Sequence, residues 1–268
     1  MNLENVKLVV ADMDGTLLNS KGQVSKRFFE LFNLMSKKNI EFIAASGRQY
    51  YSIIDKLKII KDDITIIAEN GGIAKKQDKQ LLIHHLSSIK INSFIKTLRK
   101  IPGVYIVLCG RDSAYIETRN KPFIDVFSEY YHKYQIVEDL TKVKDDLFLK
   151  IASYHFENSE NHIYPKIKQF EDNYQVKVSG LNWLDISHPM ANKGNALRLI
   201  QQKLGINSSQ TMVFGDYNND LEMLQLGHFS YAMENAHSNV KKIANYHTTS
   251  NDDYGVERVL EKLITAIN

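Results

Sequence analysis

Val9-Val10-Ala11-Asp12-Met13-Asp14-Gly15-Thr16-Leu17-Leu18 is the stretch on which the reading of this chain turns. Residues 6–11 form an apolar run that predicts a buried strand. The run ends in two carboxylates one residue apart, followed by Gly-Thr. In an open α/β sheet, ligands bind at the carboxyl edge of the strands. Two carboxylates placed there resist joint ionisation unless a positive group sits between them. A hard divalent cation such as Mg²⁺, which takes few carboxylates and keeps sites for water and phosphate oxygen, removes that conflict. One carboxylate is then free to attack a phosphoryl group. Taken alone, Asp-x-Asp-Gly also fits a calcium loop or an ordinary turn, so the rest of the chain has to decide.

The 268 residues allow one large domain or two smaller ones, with enough chain to bury a sizeable core. A net charge of +3, with both signs well mixed, gives no nucleic-acid footprint. A single cysteine, Cys109, excludes an internal disulfide framework and fits a reducing compartment. No apolar run approaches the roughly 20 residues needed to span a bilayer. The N-terminus, with acidic Glu4, lacks the pattern of a signal peptide. These features predict a cytoplasmic protein without membrane or nucleic-acid partners, monomer or homodimer.

Beyond the first strand, Ser25 is a candidate N-cap for a helix carrying Phe28, Leu31, Phe32 and Met35 at helical spacing. Residues 41–45 and 64–68 read as further strands, ending at Ser46-Gly47-Arg48 and Glu69-Asn70-Gly71-Gly72, with a helix over 49–57 between them. This alternation predicts a parallel sheet with helices on its faces. From Ile73 the rhythm changes to hairpins and helices, with helices expected over 88–100, 122–134 and 162–170. After Pro189 the first rhythm returns: a helix over 193–203, a strand over 211–214 ending in Gly215-Asp216, and a closing helix over 256–267. The expectation is an α/β core of residues 1–83 and 187–268, split by an α+β unit of residues 84–186.

Four segments at strand ends or helix starts stand out: Asp12-Met13-Asp14-Gly15-Thr16, Ser46-Gly47-Arg48, Asn192-Lys193-Gly194 and Gly215-Asp216-Tyr217-Asn218-Asn219-Asp220. In this order, with a large insert after the second, they resemble the four motifs of the haloacid dehalogenase (HAD) superfamily, specifically its Cof-like branch of sugar-phosphate phosphatases. The one departure is Ser46 where the commoner residue is Thr, and the hydroxyl is kept. The resemblance implies a Rossmann-like HAD core with a parallel sheet, an inserted α+β cap, and a small phosphorylated metabolite as substrate.

The chemistry asked of each position follows. A phosphate monoester dianion repels a carboxylate nucleophile, so positive charge must compensate. Mg²⁺ held by Asp12, Asp14 and Asp216 supplies part of it; the resemblance implies that Asp14 contributes its backbone carbonyl and keeps its side chain for proton transfer. Lys193 adds a point charge and Ser46 a hydroxyl donor. Gly15 and Gly47 let backbone N–H groups approach the anion. Asn219 is expected at the phosphoryl group or metal shell, and Asp220 beside Lys193 or a metal-bound water. Arg48 is either a phosphate contact or an ion-pair partner.

Within the insert, the turn at 110–112 and the loop at 180–183 are the candidates for substrate selection. Tyr130, Tyr131, Tyr134 and Trp183 are expected to pack the cap, and Asn70-Gly71-Gly72 to form a hinge or turn. Adjacent His84 and His85 on a strand point to opposite faces, which argues against a shared metal. Two other readings are open at this stage: a sugar phosphomutase, which retains the phosphate, and a non-catalytic module that senses a phosphorylated ligand.

Overall fold

The computed structural model describes residues 3–267. In chain order the elements are β1 (Leu8–Asp12), α1 (Lys26–Lys37), β2 (Glu41–Ala45), α2 (Tyr50–Lys56), β3 (Thr65–Ala68), β4 (Ile73–Lys76) and β5 (Lys79–Ile83). There follow α3 (Ser88–Leu98), β6 (Val104–Gly110), β7 (Ala114–Ile116), α4 (Lys121–Ser128), β8 (Tyr134–Ile136), β9 (Phe148–His155), α5 (Ser159–His162), α6 (Tyr164–Ile167), β10 (Gln175–Val178) and β11 (Trp183–Ser187). The chain closes with α7 (Lys193–Leu204), β12 (Thr211–Gly215), α8 (Leu221–Leu224), β13 (Phe229–Ala232), α9 (Ser238–Ile243), β14 (Tyr246–His247) and α10 (Gly255–Ala266). Among the described residues, no helix is long and apolar enough to cross a membrane.

One sheet has the order β14-β13-β12-β1-β2-β3-β4-β5, parallel from β14 to β3 and antiparallel beyond. From β1 the chain winds outward through β2 and β3, and on the other side through β12, β13 and β14. β1 therefore lies at the switch point, where connections diverge and leave a crevice at the strands' carboxyl ends. Its residues are wholly buried, as a central strand covered on both faces requires. Helix α1 covers one face with Phe28, Leu31, Phe32 and Met35, and the Ser25 hydroxyl accepts from the N–H of Phe28 at 2.9 Å, capping it as the sequence predicts.

The second sheet, β10-β11-β9-β6-β7-β8, is built from the inserted segment. Its side chains alternate between two apolar layers. Ile106, Leu108, Ile151, Leu184 and Ile186 pack with Ile91, Phe94 and Leu98 of α3 on one face. Val107, Cys109, Ile116, Ala152 and Tyr154 pack with Phe123, Phe127 and Tyr131 on the other. The two linkers meet where His84 stacks on His188, centroids 5.0 Å apart.

Two expectations in the insert are corrected. The helix expected over 122–134 stops at Ser128, and Tyr134–Ile136 instead pairs in parallel with β7. The backbone of Lys133 is claimed from outside: its carbonyl accepts from Gln49 Nε2 at 2.8 Å and its N–H donates to Gln49 Oε1 at 3.0 Å. A side-chain amide from the loop between β2 and α2 thus imitates a neighbouring strand. The helix expected over 162–170 is divided into α5, α6 and a 3-10 turn, because Pro165 starts a new helix and cannot continue the old one.

Gly71 has φ +88°, and a Cβ there would lie 2.3 Å from the carbonyl oxygen of Asn192, the N-cap of α7. The turn after β3 and the start of α7 are thereby packed backbone to backbone. Gly205, with φ +65°, has open space around it. Gly71→Ala should cost roughly 2–4 kcal/mol in urea unfolding, against about 1 kcal/mol for Gly205→Ala. Equal costs would mean that the turn does not rest on α7.

Candidate active site

Asp12 is the last residue of β1, Ser46 follows β2, Glu69 and Asn70 follow β3, and Asp216 follows β12. All stand at the carboxyl edge of parallel strands. Asp14, Gly15, Gly47, Arg48 and Asn219 join Asp12, Ser46 and Asp216 around one cavity of about 450 Å³. Lys193 and Asp220 lie beneath its floor, fully buried.

Lys193 opens α7, placed there by Asn192, whose side chain accepts from the N–H of Asn195 at 2.7 Å. Its ammonium donates to Asp12 Oδ1 at 2.5 Å and to Asp220 Oδ1 at 2.7 Å. Asp220 Oδ2 accepts from the N–H groups of Asp216 and Tyr217 at 3.0 and 3.2 Å, so this carboxylate is held on both oxygens. Gly15, with φ +73°, allows Asp216 to fold against the 12–16 loop: a Cβ there would sit 2.3 Å from Asp216 Oδ2. Asp216 Oδ1 accepts from Thr16 Oγ1 at 3.3 Å.

Burial works against the Lys193 charge, yet Asp12 and Asp220 outweigh it and hold the ammonium protonated. Burial pushes the Asp12 carboxyl well above its usual range, an effect Lys193 offsets and Asp220 and Asp216 reinforce. Asp216 is raised to about 7, first by burial and then by Asp220. Carboxylate oxygens of Asp12, Asp216 and Asp220 lie within 4.8 Å of one another. One lysine does not neutralise three clustered acids, and an all-oxygen donor set of this kind suits a hard divalent cation.

The Asp14 side chain points elsewhere. Arg48 grips it in a fork, Nε to Oδ2 at 2.7 Å and Nη2 to Oδ1 at 2.6 Å. Arg48 also donates to the carbonyl of Glu129 and lies 4.6 Å over the Tyr130 ring, so it joins the two sheets' units rather than standing free. Asn219 Nδ2 donates to Asn70 Oδ1 at 3.0 Å.

The roof of the cavity comes from the insert. Gly180, Leu181, Asn182 and Trp183 line it, whereas the turn at 110–112 does not, which corrects that candidate. Arg111 and Asp112 pair with each other, and Asp146 accepts from the Asp112 and Ser113 N–H groups, turning that hairpin away. Tyr130 and Trp183 are expected to pack the cap, with Trp183 also in the loop named for substrate selection. They do pack, Trp183 edge-on to Tyr154 and Tyr130 at 4.9 and 5.7 Å, but Tyr130, Tyr131, Tyr154 and Trp183 also form an aromatic wall of the cavity.

Two lining residues escaped the sequence reading: Lys150 on β9 and Asp185 on β11. Each is a lone charge in an otherwise apolar strand, Leu149-Lys150-Ile151 and Leu184-Asp185-Ile186, and that oddity was the available signal. Glu69 and Asn70, buried beside them, occupy the left-handed region at φ +51° and +52°. Such conformations cost about 1–3 kcal/mol each and persist only where surrounding bonds enforce them.

A parallel sheet whose carboxyl edge gathers carboxylates, a hydroxyl and a buried lysine under an inserted sheet defines an α/β protein with an enzyme-like site at its switch point. Residues 9–260 match the model of the haloacid dehalogenase-like hydrolases, and the chain belongs to that family. It is similar to 5-amino-6-(5-phospho-D-ribitylamino)uracil phosphatase YbjI of Escherichia coli (strain K12), at 33% identity over 267 residues and 97% of each chain. Phosphatase YwpJ of Bacillus subtilis (strain 168) is 25% identical, covering 97% of this chain and 100% of that one. The crystal structure of SMU.1108c from Streptococcus mutans UA159 superposes with a TM-score of 0.90 at 29% identity, over 97% of this chain and 99% of that one. The protein is a Cof-like HAD-type phosphatase, a phosphoric monoester hydrolase.

The raised Asp216 carboxyl has a consequence for stability. Between its ordinary 3.8 and about 7 the folded state holds a proton that the unfolded chain has lost. Folding is therefore progressively weakened as pH rises through that window. Without divalent cations, Asp216→Asn should melt above wild type near about pH 8 and together with it near about pH 4. Equal melting temperatures at both pH values would show that Asp216 carries no such penalty.

Proposed function

We propose that the protein is a Mg²⁺-dependent phosphatase of small phosphorylated metabolites, working through an aspartyl-phosphate on Asp12. The observation that carries this reading is the pair of bonds from buried Lys193 to Asp12 and Asp220. An ammonium has three N–H donors. Among the described residues two are used, and the third remains for a phosphoryl oxygen above Asp12.

Mg²⁺ fits the acidic floor, with Asp12, Asp216 and the backbone carbonyl of Asp14 as its protein ligands. Asp220, held by Lys193 and two backbone N–H groups, then serves to orient the lysine. When bound, the cation supplies positive charge between carboxylate and phosphate. Asp12 attacks phosphorus in line, the bond to the ester oxygen breaks, and the Asp14 carboxyl delivers its proton to the leaving alkoxide. A water, losing a proton to Asp14, then attacks the aspartyl-phosphate; the bond from phosphorus to Asp12 breaks and inorganic phosphate departs. Ser46 and the Gly47 backbone hold the phosphoryl oxygens, with Asn219 beside them. Arg48 holds Asp14 until substrate arrives.

Residues 1–83 and 187–268 form the catalytic core, and residues 84–186 the cap that shields the reaction from water. The aromatic wall of Tyr130, Tyr154 and Trp183 suits a planar ring, and Asn182 suits a hydroxylated chain. The E. coli relative's name describes such a compound, a phosphorylated ribityl chain on an aminouracil. A phosphorylated polyol or sugar, with or without a ring, is the substrate class.

Free-phosphate release from a panel of these compounds, with and without Mg²⁺, tests the reading. Asp12→Asn should lose at least about 10³-fold in kcat. Retained activity in that variant, or equal activity after chelation, rules the mechanism out. The order of substrates shows whether the aromatic wall selects a ring.

A further inference from the structure

The cavity is bordered by a second buried lysine, and its bonding differs from that of Lys193. Lys150 Nζ lies 3.0 Å from the carbonyl oxygen of Gly47, 3.0 Å from Asp185 Oδ2 and 3.0 Å from Glu69 Oε2. Two of its N–H donors are thus spent on hydrogen bonds to Gly47 and Asp185, and Glu69 adds a buried ion-pair contact. A lysine so used is a fixture. What it fixes is the core: Lys150 and Asp185 belong to the second sheet, while Gly47, Glu69 and Asn70 lie at the carboxyl edge of the first.

Two lines of force leave this cluster. The carbonyl of Gly47 and the N–H of Arg48 share one peptide plane, so a bond that orients the first orients the second. That N–H donates to Ser46 Oγ at 3.1 Å. Along the other line, Asp185 Oδ2 accepts from Asn70 Nδ2 at 2.9 Å, and Asn70 Oδ1 accepts from Asn219 Nδ2 at 3.0 Å. Both lines end on groups placed at the phosphoryl site. The left-handed backbone at Glu69 and Asn70 carries both side chains into the cluster, Asn70 through hydrogen bonds and Glu69 through its ion pair with Lys150.

Strand alternation explains why the sheet can do this. Lys150, Ala152 and Tyr154 share one face of β9, and Trp183 and Asp185 share the same face of β11, toward the cavity. The face that carries the aromatic wall also carries the two charges.

We infer that Lys150 and Asp185 are positioning residues: from the cap sheet they set the Ser46-Gly47-Arg48 loop and Asn219, so that the core's phosphate-binding groups reach working geometry only while the cap is seated. A cap that both selects the leaving group and completes the phosphate site ties turnover to closure. The inference rests on the phosphatase reading above.

The test uses inorganic phosphate, which has no leaving group, as the probe. Its affinity for the Mg²⁺-loaded full chain is measured by calorimetry in wild type, Lys150→Met and Asp185→Asn. Melting temperature and circular dichroism confirm folding. Lys150→Met should bind phosphate about tenfold more weakly and lose about 10- to 100-fold in kcat, since small misplacements of catalytic groups carry such penalties. The ranking of substrates by kcat/KM should stay the same. Asp185→Asn keeps an oxygen for Asn70 and is the milder variant; it stands alone if Lys150→Met does not fold, with phosphate affinity lowered in the same direction. Wild-type phosphate affinity in every folded variant overturns the inference, as does a reordered substrate ranking, which would make these residues leaving-group contacts. Failure of wild type to bind phosphate, or full activity of Asp12→Asn, would instead remove the phosphatase reading beneath it.

Discussion

The structure depends on keeping charge inside a protein. Asp12, Lys193 and Asp220 form an ion triad with almost no access to water, next to Asp216, at the end of a wholly buried strand. Such a group is tolerable only when each charge is paired and hydrogen-bonded. The lysine and the backbone N–H groups of Asp216 and Tyr217 meet that demand for Asp220. For Asp12 and Asp216 it is met in part, and the remaining excess of negative charge makes the floor a receptor for a cation. The surrounding fold follows: a switch point beside β1 opens the crevice, and a helix start must reach it to deliver the lysine.

The inserted unit solves a second problem. An open crevice leaves charged groups in water, where electrostatic stabilisation is weak. The second sheet covers it with tyrosine and tryptophan, and it does so through polar ties as well as apolar contact. Arg48 reaches up to the carbonyl of Glu129, Gln49 takes both backbone groups of Lys133, and Lys150 reaches down to Gly47. Three consecutive loop residues, Gly47, Arg48 and Gln49, are therefore bonded to the insert. The loop at 46–49 is as much a product of the insert as of the strand that precedes it.

Much of this was legible in the sequence where the signal is local. An apolar run that ends in Asp12 reports a buried strand with an acid at its edge, and Ser25 before an amphipathic helix reports a cap. Elsewhere the signal was misleading. Aromatic residues continue at helical spacing past Ser128, but the helix ends there, and an amide 84 residues away in sequence takes the backbone of Lys133. Trp183 and Tyr130 carry the same composition whether they fill a core or face a cavity, and only the placement of the insert separates the two.

The sequence by itself determined the layered order of the fold, the edge at which the acids gather and the chemistry those residue types can perform, because burial and local bonding leave periodic traces. Which acceptors each buried lysine meets was a tertiary decision. Lys193 and Lys150 are both lone lysines in buried surroundings, yet one is bonded to two acids at the edge of the first sheet and the other bridges the two sheets. The difference lies in partners 181 and 27 residues away for the first, and 103, 81 and 35 for the second. No local pattern encodes how many acceptors a folded chain will bring to one nitrogen.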